Sequence, residues 1–273
     1  MNPIRARRPR DHSVVVSGFA EACEADDRIV AGLLGGSRAR GEADEFSDVD
    51  LCAITTDDGL ESVIRGREAL IRRIGEPLFI EDFGHGRIVF FILADGTDCE
   101  LFFEREGGLE RLEVGPFEPL VDKHGILAGA EFRFSPPDPG EQRERLREIV
   151  MWFWHDLSHF LAALGRGDLW WANGQLEALR RYCVNVVRIR HGVEAQDEAY
   201  EKLSKEVPVS ELEELRSSFC PMERDAMLEA DRRIVGFFRA HAPRIAEANG
   251  VDYPTELARL KSARLEELTD PAS

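Results

Sequence analysis

Apolar positions fall in short runs over the first half of this chain and in long series at 3–4 spacing over the second. Residues 12–25 carry a helical pattern, and Ile29-Val30-Ala31-Gly32-Leu33-Leu34 follows as a short apolar strand. A glycine-rich turn leads to a second strand at residues 49–54, and residues 60–74 are again helix-like. Two β-rich runs come next, at 87–93 and 99–103, and the Asp95-Gly96 pair between them predicts a hairpin. Three prolines within Phe134-Ser135-Pro136-Pro137-Asp138-Pro139-Gly140 break any regular element. Beyond them, residues 141–164, 169–191 and 222–248 read as helices, with Pro221 placed in the first turn of the last. The pattern predicts an α+β domain over residues 1–134 and a helical bundle over 141–273.

Composition narrows the class. The 273 residues are 43% hydrophobic and 32% charged, a globular balance large enough for a real core. The longest apolar runs, such as Ile88 to Ala94, reach about a third of the ~20 residues that span a bilayer, so no membrane segment is expected. The basic start, Met1 to Arg10, lacks the apolar stretch of a secretory signal and reads as a frayed tail. Five widely spaced cysteines (Cys23, Cys52, Cys99, Cys183 and Cys220) form no CxxC pair, which fits reduced, buried thiols in a cytoplasmic protein. With 52 acids against 35 bases the formal net charge is −17. Such a field repels a phosphate backbone, making nucleic acid a poor partner, and draws in a cationic small molecule.

Candidate chemistry lies in Gly35-Gly36-Ser37-Arg38-Ala39-Arg40-Gly41 and the later Ser47-Asp48-Val49-Asp50-Leu51. A strand ending in two glycines and a serine lets backbone N–H groups approach phosphate oxygens. Aspartates at i and i+2 on the next strand share a face, so Asp48 and Asp50 can grip one hard cation. Glu100 sits in a later apolar strand, Asp98-Cys99-Glu100-Leu101-Phe102, where an unpartnered acid is costly. If that strand lies beside the first, Glu100 is the third metal ligand or the general base. Three converging acids repel one another without a cation, and the set suits Mg2+-assisted phosphoryl transfer, the metal neutralising charge on a triphosphate.

This segment resembles the Gly-Ser…Asp-x-Asp motif of the polymerase-beta-like nucleotidyltransferase superfamily. The whole chain most resembles its aminoglycoside- and lincosamide-modifying branch, through weaker features. They are Met151-Trp152-Phe153-Trp154, Arg166-Gly167-Asp168-Leu169-Trp170-Trp171-Ala172 and the stretch from Tyr200 to Pro208. The resemblance implies a mixed-sheet catalytic domain followed by an all-α substrate-binding domain. It implies that Gly36 and Ser37, with Arg40 and Ser47 of the same segment, hold the nucleotide, and that Asp48, Asp50 and Glu100 are the metal and base carboxylates. It also implies that Lys202 or Lys205 reaches a phosphate from the helical domain. The smallest superfamily members lack such a domain, and many relatives carry Asp where Glu100 stands. The expected activity is transfer of a nucleoside monophosphate to a hydroxyl of a small molecule. An enzyme acting on protein or RNA, and a non-catalytic nucleotide-binding or antitoxin module, are the rivals.

His155 and His159 fall on one helix face, but the residue after His155 is Asp where the metalloprotease motif needs Glu, so zinc is not expected. Asp156 reads as a surface acid that could meet a substrate amine. The four tryptophans are assigned to core and interdomain packing, and Gly84-His85-Gly86 to a turn without chemistry.

Overall fold

The computed structural model describes residues 12–112, 117–130 and 136–267. The basic start of the chain, and Phe134 and Ser135 of the proline-rich break, lie outside the described residues. Contacts within the chain define two units, Met1–Ser135 and Pro136–Ser273.

In the first unit, β1 (Ile29–Leu34) is buried at every position, as its unbroken apolar run requires of a strand covered on both faces. It pairs antiparallel with β2 (Val49–Thr55) on one side and with β6 (Glu118–Asp122) on the other. β2 in turn runs parallel to β5 (Asp98–Arg105), which pairs antiparallel with β4 (Ile88–Leu93). β3 (Pro77–Glu81) closes the far edge, giving the order β3-β4-β5-β2-β1-β6. The sheet is therefore mixed, and the Asp95-Gly96 turn makes the β4–β5 hairpin, with Gly96 at φ +79°.

Helices α1 (Ser13–Glu24), α3 (Leu60–Arg65) and α4 (Arg67–Ile74) supply one apolar layer. Phe19, Val63 and Ile71 from these helices join Phe91, Leu101 and Phe103 of the sheet in one core. Gly66 divides the expected helix 60–74 into α3 and α4. A smaller cluster of Val30, Leu33, Cys52, Ile54, Leu112 and Leu127, with Phe102 packed against it, occupies the other face. Side chains alternate along a strand, so Asp50 shares the face of Cys52 and Ile54, and Glu100 that of Phe102. The carboxylates thus project from the face opposite the helical layer. A four-residue helix, α2 (Gly36–Ala39), follows β1 directly.

The second unit is helical. α5 (Pro139–Gly165) begins at Pro139, its cap Asp138 accepting hydrogen bonds from the Gly140 and Glu141 N–H groups at 2.8 and 2.9 Å. α6 (Leu169–Arg190) is capped by Asp168, and short α7 (Leu203–Glu206) and α8 (Val209–Arg216) precede α9 (Arg224–Ala248) and α10 (Thr255–Glu267). Phe153 of α5 stacks on Phe238 of α9 with ring centroids 3.6 Å apart, beside fully buried Trp154. Buried Arg188 donates to the Glu194 and Glu201 carbonyls, fastening the segment after α6 to that helix.

Several expectations change. Pro221 stands outside α9, two residues before its cap Glu223, whose N–H donates to the Pro221 carbonyl. Of the tryptophans only Trp154 is core: Trp152, Trp170 and Trp171 are exposed, because they lie off the apolar stripes of α5 and α6. Four cysteines are buried and Cys220 is half-buried, all as free thiols.

Candidate active site

The site starts where β1 ends. Gly35 donates its N–H to the Asp50 carbonyl at 2.8 Å, tying the turn to β2. Gly36 then adopts φ +60°, and a Cβ placed on it would stand 1.5 Å from Asp50 Oδ2. Backbone passes so close to the carboxylate that only glycine fits, on grounds of both conformation and space. At Gly35 a Cβ would meet Phe117 at 2.9 Å. Ser37 follows with its Oγ buried and without a partner among the described residues. A buried hydroxyl with no acceptor is costly unless something fills its hydrogen-bonding capacity, and a phosphate oxygen would.

Asp50 and Glu100 are direct partners across the parallel β2–β5 pair, fifty residues apart in sequence. Glu100 is half-buried, and its pKa is raised first by loss of water, then by the negative charges of Asp50 and Asp48. Such mutual repulsion is what a bound cation relieves, so the donor set of carboxylate oxygens fits Mg2+. Asp48 differs from expectation: β2 begins at Val49, which leaves Asp48 exposed on the preceding turn. The three acids are accordingly open. Among the described residues, three ligand atoms gather within 4.8 Å of one another only at His155, Asp156 and His159.

The other sequence candidates are placed variously. Ser47 is occupied in its own turn, where Oγ accepts from the Asp44 N–H at 2.9 Å and donates to Asp44 Oδ1 at 3.2 Å. Arg40 pairs with Glu42 at 3.0 Å on the surface. Lys202 and Lys205 belong to the helical unit; Lys202 has φ +54° and pairs with Glu201, both side chains being exposed. His85, expected in a turn without chemistry, lies in the connection between β3 and β4, near enough to Glu100 to bear on its charge. It opposes the upward shift of the Glu100 pKa, and its ring packs edge-on to Phe90, the cross-strand partner of Glu100. Only strand register shows that link, since fifteen residues separate His85 from Glu100. Arg38 also gains a partner the sequence did not signal, the imidazole of buried His12.

The turn that ends β1 thus places close-approaching backbone and the Ser37 hydroxyl beside Asp50 of β2, with Glu100 opposite it on the parallel strand β5. The chain belongs to the streptomycin adenylyltransferase family, which its residues 10–267 match. It is accordingly a nucleotidyltransferase of the aminoglycoside-modifying branch. Among solved structures, an aminoglycoside 6-adenyltransferase from Bacillus subtilis aligns at 15% identity over 97% of this chain and 99% of its own, with a TM-score of 0.47. A nucleotidyltransferase-like protein from Exiguobacterium sibiricum 255-15 aligns at 11% identity over 84% of this chain and 74% of its own, with a TM-score of 0.42. No curated protein matches the sequence. No described helix is long and apolar enough to cross a membrane.

Proposed function

We propose that this enzyme transfers AMP from ATP to a hydroxyl of a cationic, aminoglycoside-type antibiotic, with Mg2+, in the cytoplasm. The observation that carries the reading is the contact of the Gly36 backbone with the Asp50 carboxylate, set opposite Glu100 on the parallel strand. Family membership supports adenylyl transfer, and the net charge of −17 supports a polyamine acceptor.

Gly36 and Ser37 hold the triphosphate, the Ser37 hydroxyl donating to a phosphate oxygen. Asp48 and Asp50 hold Mg2+, with Glu100 as a further ligand or the base. When bound, Mg2+ neutralises phosphate charge and orients the triphosphate for in-line attack. The acceptor oxygen bonds to the α-phosphorus, the bond from that phosphorus to the bridging oxygen of the β-phosphate breaks, and pyrophosphate leaves. In its role as base, Glu100 takes the acceptor proton from its place opposite Asp50 on the parallel strand. Arg40, Lys202 and Lys205 are offered as cationic partners of the nucleotide, Arg40 having to leave Glu42 and Lys202 having to leave Glu201 to serve.

The test is mass spectrometry of reactions containing each of ATP, GTP, CTP and UTP, Mg2+ and a panel of aminoglycosides and lincosamides, with Asp50→Ala in parallel. The expected product is an aminoglycoside heavier by one AMP, formed by the native enzyme and not by the variant. Equal product from Asp50→Ala would remove the carboxylate assignment. A nucleotide on protein or RNA alone would overturn the acceptor class.

A further inference from the structure

The helical unit carries a second constellation that the transfer chemistry does not use. His155, Asp156 and His159 lie on α5, and their ligand atoms all fall within 4.8 Å of one another. We propose that these three side chains form a binding site for a borderline divalent transition metal, with Zn2+ as the representative ion.

Helical spacing makes the site possible, because residues at i and i+4 stand one above the other on one face. The two imidazoles are 4.5 Å apart between ring centroids and cross at 75°. Asp156 Oδ1 lies 3.0 Å from His155 Nδ1 and 3.8 Å from His159 Nδ1. Ligands about 2.0–2.1 Å from a tetrahedral Zn2+ stand roughly 3.3 Å from one another, so these separations straddle the value a shared ion needs.

The surroundings hold the ligands in place. Asp156 is largely buried, and its other oxygen, Oδ2, accepts a hydrogen bond from the Tyr182 hydroxyl of α6 at 2.9 Å. That bond leaves Oδ1 turned to the histidines and is the outer-shell support that ligating carboxylates receive in metal sites. Trp152 stands edge-on to the His155 ring at 4.9 Å, and Trp171 leans on the His159 ring at 5.9 Å, limiting rotation of both. Two imidazoles and one carboxylate select Zn2+ and its neighbours Co2+, Ni2+ and Cu2+ over Mg2+ and Ca2+, which favour oxygen alone. Both histidines are half-exposed, so a fourth position faces solvent, open to water or an external ligand. The Asp after His155, which removes the protease motif, supplies the third ligand here instead of a catalytic base.

The test is titration calorimetry of Zn2+ into chelator-treated full-length enzyme, with excess Mg2+ present to occupy all-oxygen sites. Native protein is expected to bind one equivalent. His155→Gln/His159→Gln is expected to lose about 100-fold or more in affinity, and Tyr182→Phe, which keeps every ligand, about 10-fold. Asp156→Asn is expected to fall between them. Circular dichroism melts without metal check that each variant is folded, and Zn2+ should raise the melting temperature of the native protein but not of the double variant. Co2+ in place of Zn2+ should give visible d–d absorption that the double variant lacks. Zn2+ affinity unchanged in the double variant, unchanged in Asp156→Asn, or absent in the native protein would each overturn the proposal.

Discussion

Gly36 and Gly41 both have positive φ, +60° and +70°, yet their surroundings differ completely. At Gly36 a methyl group would lie 1.5 Å from Asp50 Oδ2 and 2.4 Å from its Cγ, whereas at Gly41 nothing stands within 4 Å. Gly36→Ala and Gly41→Ala therefore incur the same backbone strain, about 1–2 kcal/mol for a left-handed alanine. Only the first must also push the Asp50 carboxylate back by about 1.9 Å to reach the 3.4 Å of ordinary contact. Misplacing a reacting group by about 1 Å can cost 100-fold, so Gly36→Ala should lower kcat/KM by about 100-fold or more relative to Gly41→Ala. Both should melt only a few degrees below the native protein, about 2–4 °C per kcal/mol at this size. Steady-state rates of adenylyl transfer, paired with thermal melts, separate the two effects. Equal activity of the variants would refute the claim that the Gly36 backbone is shaped around the Asp50 carboxylate.

Asp231 on α9 is fully buried with neither carboxylate oxygen partnered among the described residues, and burial raises its pKa well above the ordinary value. A raised carboxyl pKa means that its stabilising share is complete below the unfolded value near 4 and is lost as pH rises toward the folded value. Urea unfolding should show Asp231→Asn gaining on the native protein by about 1.4 kcal/mol per pH unit above pH 4; parallel pH curves would refute a neutral buried acid. Glu104 is also buried, with Arg87 Nη1 at 2.9 and 3.0 Å from its two oxygens. Arg87→Met should destabilise by about 3 kcal/mol by stranding that charge, and adding Glu104→Leu should recover most of the loss. A double variant as unstable as Arg87→Met would show that the pair is not the cause.

The local signals in the chain were strong where one segment decides its own shape. An unbroken apolar run makes β1, Asp-Gly makes the β4–β5 hairpin, and the proline-rich break with its Asp138 cap starts α5. The Gly-Gly-Ser turn and the spacing of Asp48 and Asp50 are equally local, and they pointed to metal-assisted phosphoryl transfer, the resemblance of the motif adding the nucleotidyl class. The edge strands β3 and β6 escaped notice because each buries few side chains and so shows no apolar alternation. α10 escaped too: of its thirteen residues only Ala258, Ser262 and Leu265 are buried, too sparse a stripe to mark a helix. Pairing across the sheet was beyond the sequence altogether. That Asp50 stands opposite Glu100, and that His85 bears on Glu100, follows from register between strands distant in the chain, which no local pattern encodes. Likewise two histidines at helical spacing were legible, but the third ligand needed tertiary structure. Asp156 Oδ1 turns toward them because Tyr182, twenty-six residues on and in the next helix, holds the other oxygen.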